Sequence, residues 1–330
     1  LPDTADIPLD QLANQFRFSA GQIEDVVATA QDLAEWRRER LAAEDLFVAS
    51  RAHSNQKLGE LATKITPRYQ WEDIVLPKDS LAQLREMVNT VRQRPTVYGQ
   101  WGFGRKQSLG KGLSALFAGE SGTGKTMAAD IMANELKQDL YKIDLSMLVS
   151  KYIGETEKNL NKVFSEAATS NAILFFDEAD AIFGKRSEVK DSHDRYANLE
   201  ISYLLQRMEA YDGVVILATN LRSNLDEAFT RRLHFIVEFP FPEAPDRERI
   251  WQVNVPTKTP LADGVDFNLL ARRYRLAGGN IRNIIMAAAF LAARDGEEVG
   301  MVHLFHATRR EYQKIGRLVE EGQFELDGAG

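Results

Sequence analysis

The sequence predicts a doubly wound α/β fold, in which a parallel sheet carries a phosphate-binding loop and helical bundles lie on either side of it in the chain. Three observations point there. The stretch Gly119-Glu120-Ser121-Gly122-Thr123-Gly124-Lys125-Thr126 satisfies the pattern G-x-x-x-x-G-K-[ST] at every constrained position. Several short apolar runs end in polar residues, as parallel strands buried on both faces do. Residues 12–51 recur, without a gap, as residues 270–309 at an offset of 258.

The loop has the context its chemistry needs. Leu113–Ala118 reads as a buried strand before it, and Thr126–Leu136 as a helix rich in Ala, Met and Leu after it. Its three glycines let the backbone curl so that N–H groups face phosphates, and the helix N-terminus adds a favourable field. Lys125 can reach the β- and γ-phosphates, and Thr126 can place its hydroxyl on Mg²⁺. The alternative is a Gly-rich turn with a chance lysine.

Further strands supply the rest of a candidate site. Ile173-Leu174-Phe175-Phe176-Asp177-Glu178 is an apolar run closed by two carboxylates, and ligands gather at the carboxyl ends of parallel strands. Asp177 is the expected Mg²⁺ ligand and Glu178 the general base for an attacking water. The competing reading of adjacent acids there is a helix N-cap. Val214–Ala218 is the next strand, and Asn220 beyond it can position the water. The other role for that asparagine is to open a turn. Leu225-Asp226-Glu227-Ala228-Phe229-Thr230-Arg231-Arg232 then leads into a strand from Phe235 to Pro240. Arg231 and Arg232 either cap carbonyls at a helix end or act as arginine fingers on a neighbouring subunit's γ-phosphate.

Bulk properties narrow the class. The 330 residues allow two or three domains, and 44% hydrophobic with 27% charged residues is ordinary for a globular protein. A formal charge of −7 gives no footprint for nucleic acid. The absence of cysteine excludes disulfides, thiolate metal sites and cysteine nucleophiles. The longest apolar run, Ile284 to Ala293, is too short for a bilayer, and the acidic start shows no signal peptide. A need for ATP argues for the cytoplasm.

In the repeat, LANQFRFSAGQIEDVV matches LARRYRLAGGNIRNII, and about a third of the aligned positions are identical, Arg17/Arg275 and Gly21/Gly279 among them. Each copy reads as a small helical bundle. The second follows the nucleotide-binding segment and is expected to be its lid. The first is then the lid of an earlier module lying upstream. The expected division is a bundle over 1–66, a nucleotide-binding core over 67–243, a lid over 244–320 and a tail over 321–330. Pro67 to Ile74 is a connecting loop, and Gln93 to Lys111 a second loop-like stretch.

The order of phosphate loop, FFDE, ATN and LDEAFTRR, followed by a helical lid, resembles the AAA+ ATPases, most closely their AAA clade, over about residues 67–316. The resemblance implies a P-loop NTPase core of the ASCE type with strand order 5-1-4-3-2, and a ring, usually hexameric, with ATP bound between subunits. It adds Met127, Asp73, Ile74 and Arg282 to the expected nucleotide contacts. Arg282 stands where other AAA+ proteins carry a lid arginine that the AAA clade generally lacks; the first copy has Glu24 there. Lys151, Tyr152, Ile153 and Gly154 match the aromatic–hydrophobic–glycine loop that lines the pore of substrate-threading members; the alternative is a packed turn. The polar stretch from Gly184 to Arg195 is either a second pore loop or a solvated one. The run from Leu174 to Glu209 resembles bacterial AAA ATPases encoded with phage-tail-like contractile injection systems. The expected activity is therefore an ATP-hydrolysing ring motor, a homo-oligomer acting on a protein substrate. An ATP-gated assembly factor is the alternative, and a DNA-dependent motor a weaker one.

Overall fold

The computed structural model describes residues 9, 12–13, 16, 18–54, 61–106, 110–148, 154–168, 172–180, 192–220 and 227–317. Among them no helix is long and apolar enough to cross a membrane. The chain divides into two compact units. The first comprises Leu1–Tyr69, Ala82–Ala118 and Ala128–Glu238; the second comprises Gln70–Leu81, Gly119–Met127 and the chain from Phe239 onward.

The first unit is built on a six-stranded sheet of β1 (Thr63–Ile65), β2 (Leu113–Ala118), β3 (Leu140–Asp144), β4 (Ile173–Asp177), β5 (Val214–Thr219) and β6 (Phe235–Glu238). Their spatial order is β1-β3-β4-β5-β2-β6. All pairings except β1 with β3 are parallel. Numbered among themselves, the five parallel strands run 5-1-4-3-2, as the family resemblance implies. The antiparallel edge strand β1 was not foreseen, because three residues are too few to show a two-residue period. A 2.8 Å ion pair from Lys64 to Asp139 pins it beside β3.

Both faces of the sheet are covered, which is why its strands read as unbroken apolar runs. Leu116, Tyr141, Ile143, Leu174, Phe176, Val215 and Leu217 form one core with Leu160, Val163 and Phe164 of α6 (Glu155–Ala167) and with Ile201, Leu204 and Leu205 of α7 (Ser192–Ala210). The alternate residues Ala115, Phe117, Ile173, Phe175, Val214 and Ile216 are equally buried. Phe164 stacks on Phe176 at 5.7 Å. Truncating such a ring to alanine costs about 3–5 kcal/mol.

The same unit holds α1 (Ala20–Arg37), α2 (Ala43–Ser54) and α3 (Lys78–Arg94), the last running into the second unit at its start. The expected loop from residue 93 begins instead as helix. Past Arg94 the chain continues as a π-helical turn over Pro95–Gln100 and a 3₁₀ turn over Phe103–Arg105. Proline lacks the N–H for the α ladder and clashes with the carbonyl four residues back, so the α-helix does not continue through Pro95. The helix α4 (Lys125–Leu136) follows the phosphate loop, and the short α5 (Leu145–Leu148) follows β3. The four-residue α8 (Glu227–Thr230) precedes the arginine pair.

The second unit is helical: α9 (Ala244–Val253), α10 (Phe267–Arg273), α11 (Gly278–Asp295) and α12 (Met301–Lys314). Its core gathers Trp251, Leu270, Tyr274, Ile281, Ile284, Leu304 and Phe305. The sequence repeat is matched helix for helix. Each bound of α1 lies 258 residues before the corresponding bound of α11, and α2 starts 258 residues before α12. Left-handed residues follow both long helices, Arg38 at φ 59° and Gly296 at φ 72°. The buried positions agree as well: Val26 with Ile284, Ala30 with Ala288, Ala34 with Ala292, Leu46 with Leu304 and Phe47 with Phe305.

Candidate functional site

In the second unit the phosphate loop is a backbone cradle. Gly122 and Gly124 take φ values of 80° and 107°, a region that costs a side chain about 1–2 kcal/mol. A Cβ on Gly119 would sit 2.1 Å from the Phe239 carbonyl oxygen, so glycine is required there by space. The Thr123 hydroxyl donates to the Glu120 carbonyl at 2.7 Å and closes the loop on itself. Lys125 is buried, with its Nζ donating to the carbonyls of Gly119 and Glu120. Ser121 is exposed, while Thr126 and Met127 are half-buried in the first turn of α4. A buried lysine over a curled, N–H-rich loop at a helix N-terminus is chemistry suited to a polyphosphate.

Two other segments of this unit press against the loop. Ile74 is 3% exposed, and its side chain lies 3.7 Å from where a Gly124 Cβ would stand. The Asp73 carboxylate accepts from the Gln70 N–H at 2.8 Å, closing the turn before Ile74. The first turn of α11 is the second neighbour. Gly279 donates its N–H to the Gly122 carbonyl at 2.9 Å, and a Cβ on Gly279 would come 3.3 Å from Gly122 Cα. Arg282 is exposed on the next turn. Asn280 and Asn283 both donate to Glu311 of α12, at 2.8 and 3.4 Å. Burial raises the Glu311 carboxyl, but hydrogen bonds from Asn280, Lys314 and Asn283 outweigh it and hold it below the usual carboxylate range.

In the first unit, Asp177, Glu178 and Asn220 stand at the carboxyl ends of β4 and β5, which are neighbours in the sheet. Asp177 meets Lys142 of β3 at 2.7 Å and accepts the Glu178 N–H at 3.0 Å. Glu178 is exposed and takes φ 55°, one of three described non-glycine residues with positive φ. Such a conformation costs about 1–3 kcal/mol and persists only where its surroundings over-determine it. Here they do. The Ala179 N–H bonds to the Ala218 carbonyl at 2.9 Å, and Asp180 accepts from the Thr219 hydroxyl at 3.0 Å and the Asn220 N–H at 3.1 Å.

Arg231 and Arg232 lie at the opposite edge of the sheet. They precede β6, which runs parallel to β2 with Phe235 level with Ala115, so both stand at the amino end. The turn is fixed by Ser114, whose hydroxyl donates to the Arg232 carbonyl at 3.1 Å and whose N–H donates to His234 Nδ1 at 3.1 Å. Arg232 also reaches Glu209 at 3.4 Å. Burial, and then the charge of Arg94, hold the His234 ring below its usual pKa.

Of the remaining candidates, Gly154 caps α6 in a left-handed conformation at φ 84°. Lys151, Tyr152 and Ile153 lie outside the described residues, as do Leu225, Asp226 and the stretch from Gly184 to Asp191. The sequence reading missed Lys142, Asp180 and the contact between Gly122 and Gly279. Lys142 had a visible signal as a charge inside the strand Leu140-Tyr141-Lys142-Ile143, and Asp180 as a third acid three residues after Asp177.

The sequence matches the ATPase family associated with various cellular activities (AAA) over residues 115–241. It is 32% identical over 238 residues to proteasome-activating nucleotidase 1 of Haloferax volcanii, covering 70% of this chain and 57% of that protein. It is 30% identical over 268 residues to the cell division cycle protein 48 homolog of Archaeoglobus fulgidus, covering 79% of this chain and 36% of the relative. Over 302 residues it is 30% identical to proteasome-activating nucleotidase 2 of Halobacterium salinarum, covering 88% of this chain and 70% of that one. The chain thus spans little more than half of the first of these relatives and about a third of the second.

Proposed function

Because the chain belongs to the AAA family of ATPases, we propose that it hydrolyses ATP with Mg²⁺ in a ring of its own copies and uses the cycle to remodel or thread a protein substrate. The observation that carries this reading is the placement of charge on the sheet of the first unit. Asp177, Glu178 and Asn220 stand at the carboxyl ends of the strands, and Arg231 and Arg232 at the amino ends. A five-residue strand separates the two edges by roughly 17 Å. That separation supports a reading in which the arginines of one copy serve a neighbour's nucleotide and not their own.

The residues divide the work. The N–H groups of Gly122 to Thr126 and the Lys125 ammonium bind and orient the phosphates. The Thr126 hydroxyl and Asp177 carboxylate would hold Mg²⁺, which would neutralise charge on the phosphate oxygens. Glu178 takes the proton of a water that Asn220 orients, and Arg231 or Arg232 from the next copy stabilises charge as the terminal phosphate leaves. Ile74, Met127 and Arg282 frame the nucleotide. Tyr152 and Ile153 grip an extended polypeptide in the pore, without regard to its sequence. The relatives named for activating proteasomes favour a protein substrate over nucleic acid.

The helical repeat supports a second element of the proposal, that α1 and α2 belong to the lid of a preceding module. Glu24 in place of Arg282 marks that module as one that handles nucleotide less well or not at all. The test of hydrolysis is direct. Glu178→Gln keeps ATP affinity and loses turnover by at least about 10²-fold, the usual worth of a general base. Lys125→Ala loses nucleotide binding. Parental turnover in Glu178→Gln would remove Glu178 from its role.

A further inference from the structure

We propose that Asp180 is a positioning residue for hydrolysis: through the tip of β5 it fixes Asn220, and with it the attacking water, relative to Glu178. The inference rests on the hydrolytic reading above. Asp180 accepts across the sheet from the Thr219 hydroxyl and the Asn220 backbone N–H, 39 and 40 residues later in the chain. Thr219 is 1% exposed, and its hydroxyl donates to this carboxylate away from solvent.

The two ends of the acidic corner are thereby held separately. Asp177 is tied to Lys142 on the β3 side. On the β5 side, Ala179 donates to Ala218 and Asp180 receives Thr219 and Asn220. Glu178 bridges these anchored residues in a left-handed conformation, exposed to solvent. The base and the backbone that carries the water-orienting Asn220 side chain are thus indexed to each other through Asp180. A catalytic group displaced by about 1 Å loses on the order of 10²-fold in rate, while ground-state binding is untouched.

Asp180→Ala is expected to lower kcat for ATP by roughly 30–100-fold with KM changed less than about twofold. Asp180→Asn keeps a carbonyl acceptor and is expected to recover most of that loss. If Asp180 acts through Asn220, the two effects do not multiply: Asp180→Ala combined with Asn220→Ala turns over no more slowly than Asn220→Ala alone. Hydrogen exchange supplies a readout independent of turnover, because the Asn220 amide exchanges faster in Asp180→Ala. Unchanged exchange, or losses that multiply in the double variant, would overturn the inference. A parental chain without ATP turnover would sink the hydrolytic reading itself. An active parent beside an equally active Asp180→Ala would sink only this proposal.

Discussion

The backbone N–H of Gly279, in the first turn of α11, donates to the carbonyl of Gly122 in the phosphate loop at 2.9 Å. Both residues favour glycine: a Cβ on Gly279 would crowd Gly122 Cα at 3.3 Å, and Gly122 takes φ 80°. This main-chain bond registers the first turn of α11 on the loop. A change in loop geometry would act through that bond on an 18-residue helix.

Replacing Gly279 with valine tests that register. Backbone cannot yield as a side-chain tip does, and forced overpacking costs about 1–3 kcal/mol. The expected outcome is ATP affinity weakened roughly 5- to 100-fold, with the melting temperature without nucleotide lowered only modestly. Calorimetric titration of ATP into the variant measures it.

Lys142 and Asp177 lie 2.7 Å apart, each partly exposed. The ammonium competes with any cation that Asp177 is to hold. Lys142→Met is expected to lower the Mg²⁺ concentration for half-maximal turnover severalfold, the direction set by removal of an opposing positive charge. A Mg²⁺ titration at saturating ATP reads this out. A raised requirement would show that Lys142 supports the site and does not compete with it.

Threading and shape-switching part company at Tyr152. If the aromatic grips polypeptide, Tyr152→Ala keeps ATP turnover within about twofold and loses processing of an unfolded reporter protein, because the lost contact is with substrate and not nucleotide. Equal loss of both, or of neither, would contradict a pore role.

His234 makes stability at the arginine turn depend on pH. Its folded pKa lies below the ordinary 6.5, through burial and then through Arg94. The neutral ring, with Nδ1 accepting from Ser114, contributes fully above about pH 6.5. That contribution declines as pH falls from 6.5 through the folded pKa. His234→Phe is expected to narrow the difference in melting temperature between pH 7.5 and 5.5. Because the ring is partly exposed, the change is small.

Most of the fold was legible because it is written in local signals. Leu113–Ala118 and Ile173–Asp177 are strands whose burial on both faces demands continuous apolar residues, and Gly122 and Gly124 announce their positive φ by being glycine. The repeat puts α1 and α11 in the same frame from sequence alone. Relations between distant parts of the chain were not legible. Asp180 reads as one more acid, and its partners Thr219 and Asn220 are fixed only once β4 and β5 lie side by side. The conversion of α3 into a π-turn at Pro95 was hidden for another reason, since proline signals an end to α-helix but not what replaces it.

The central claim is that one copy's phosphate loop and another copy's arginines make a single hydrolytic site. Two inactive variants decide it. Lys125→Ala keeps Arg231 and Arg232 but cannot bind nucleotide; the double variant Arg231→Ala, Arg232→Ala binds nucleotide but lacks the fingers. Each alone is expected to show negligible ATP turnover. Mixed in equal amounts they are expected to regain a substantial fraction of parental turnover, since the loop of one then meets the arginines of the other. No recovery, from a mixture shown by mass measurement to co-assemble, would contradict the account.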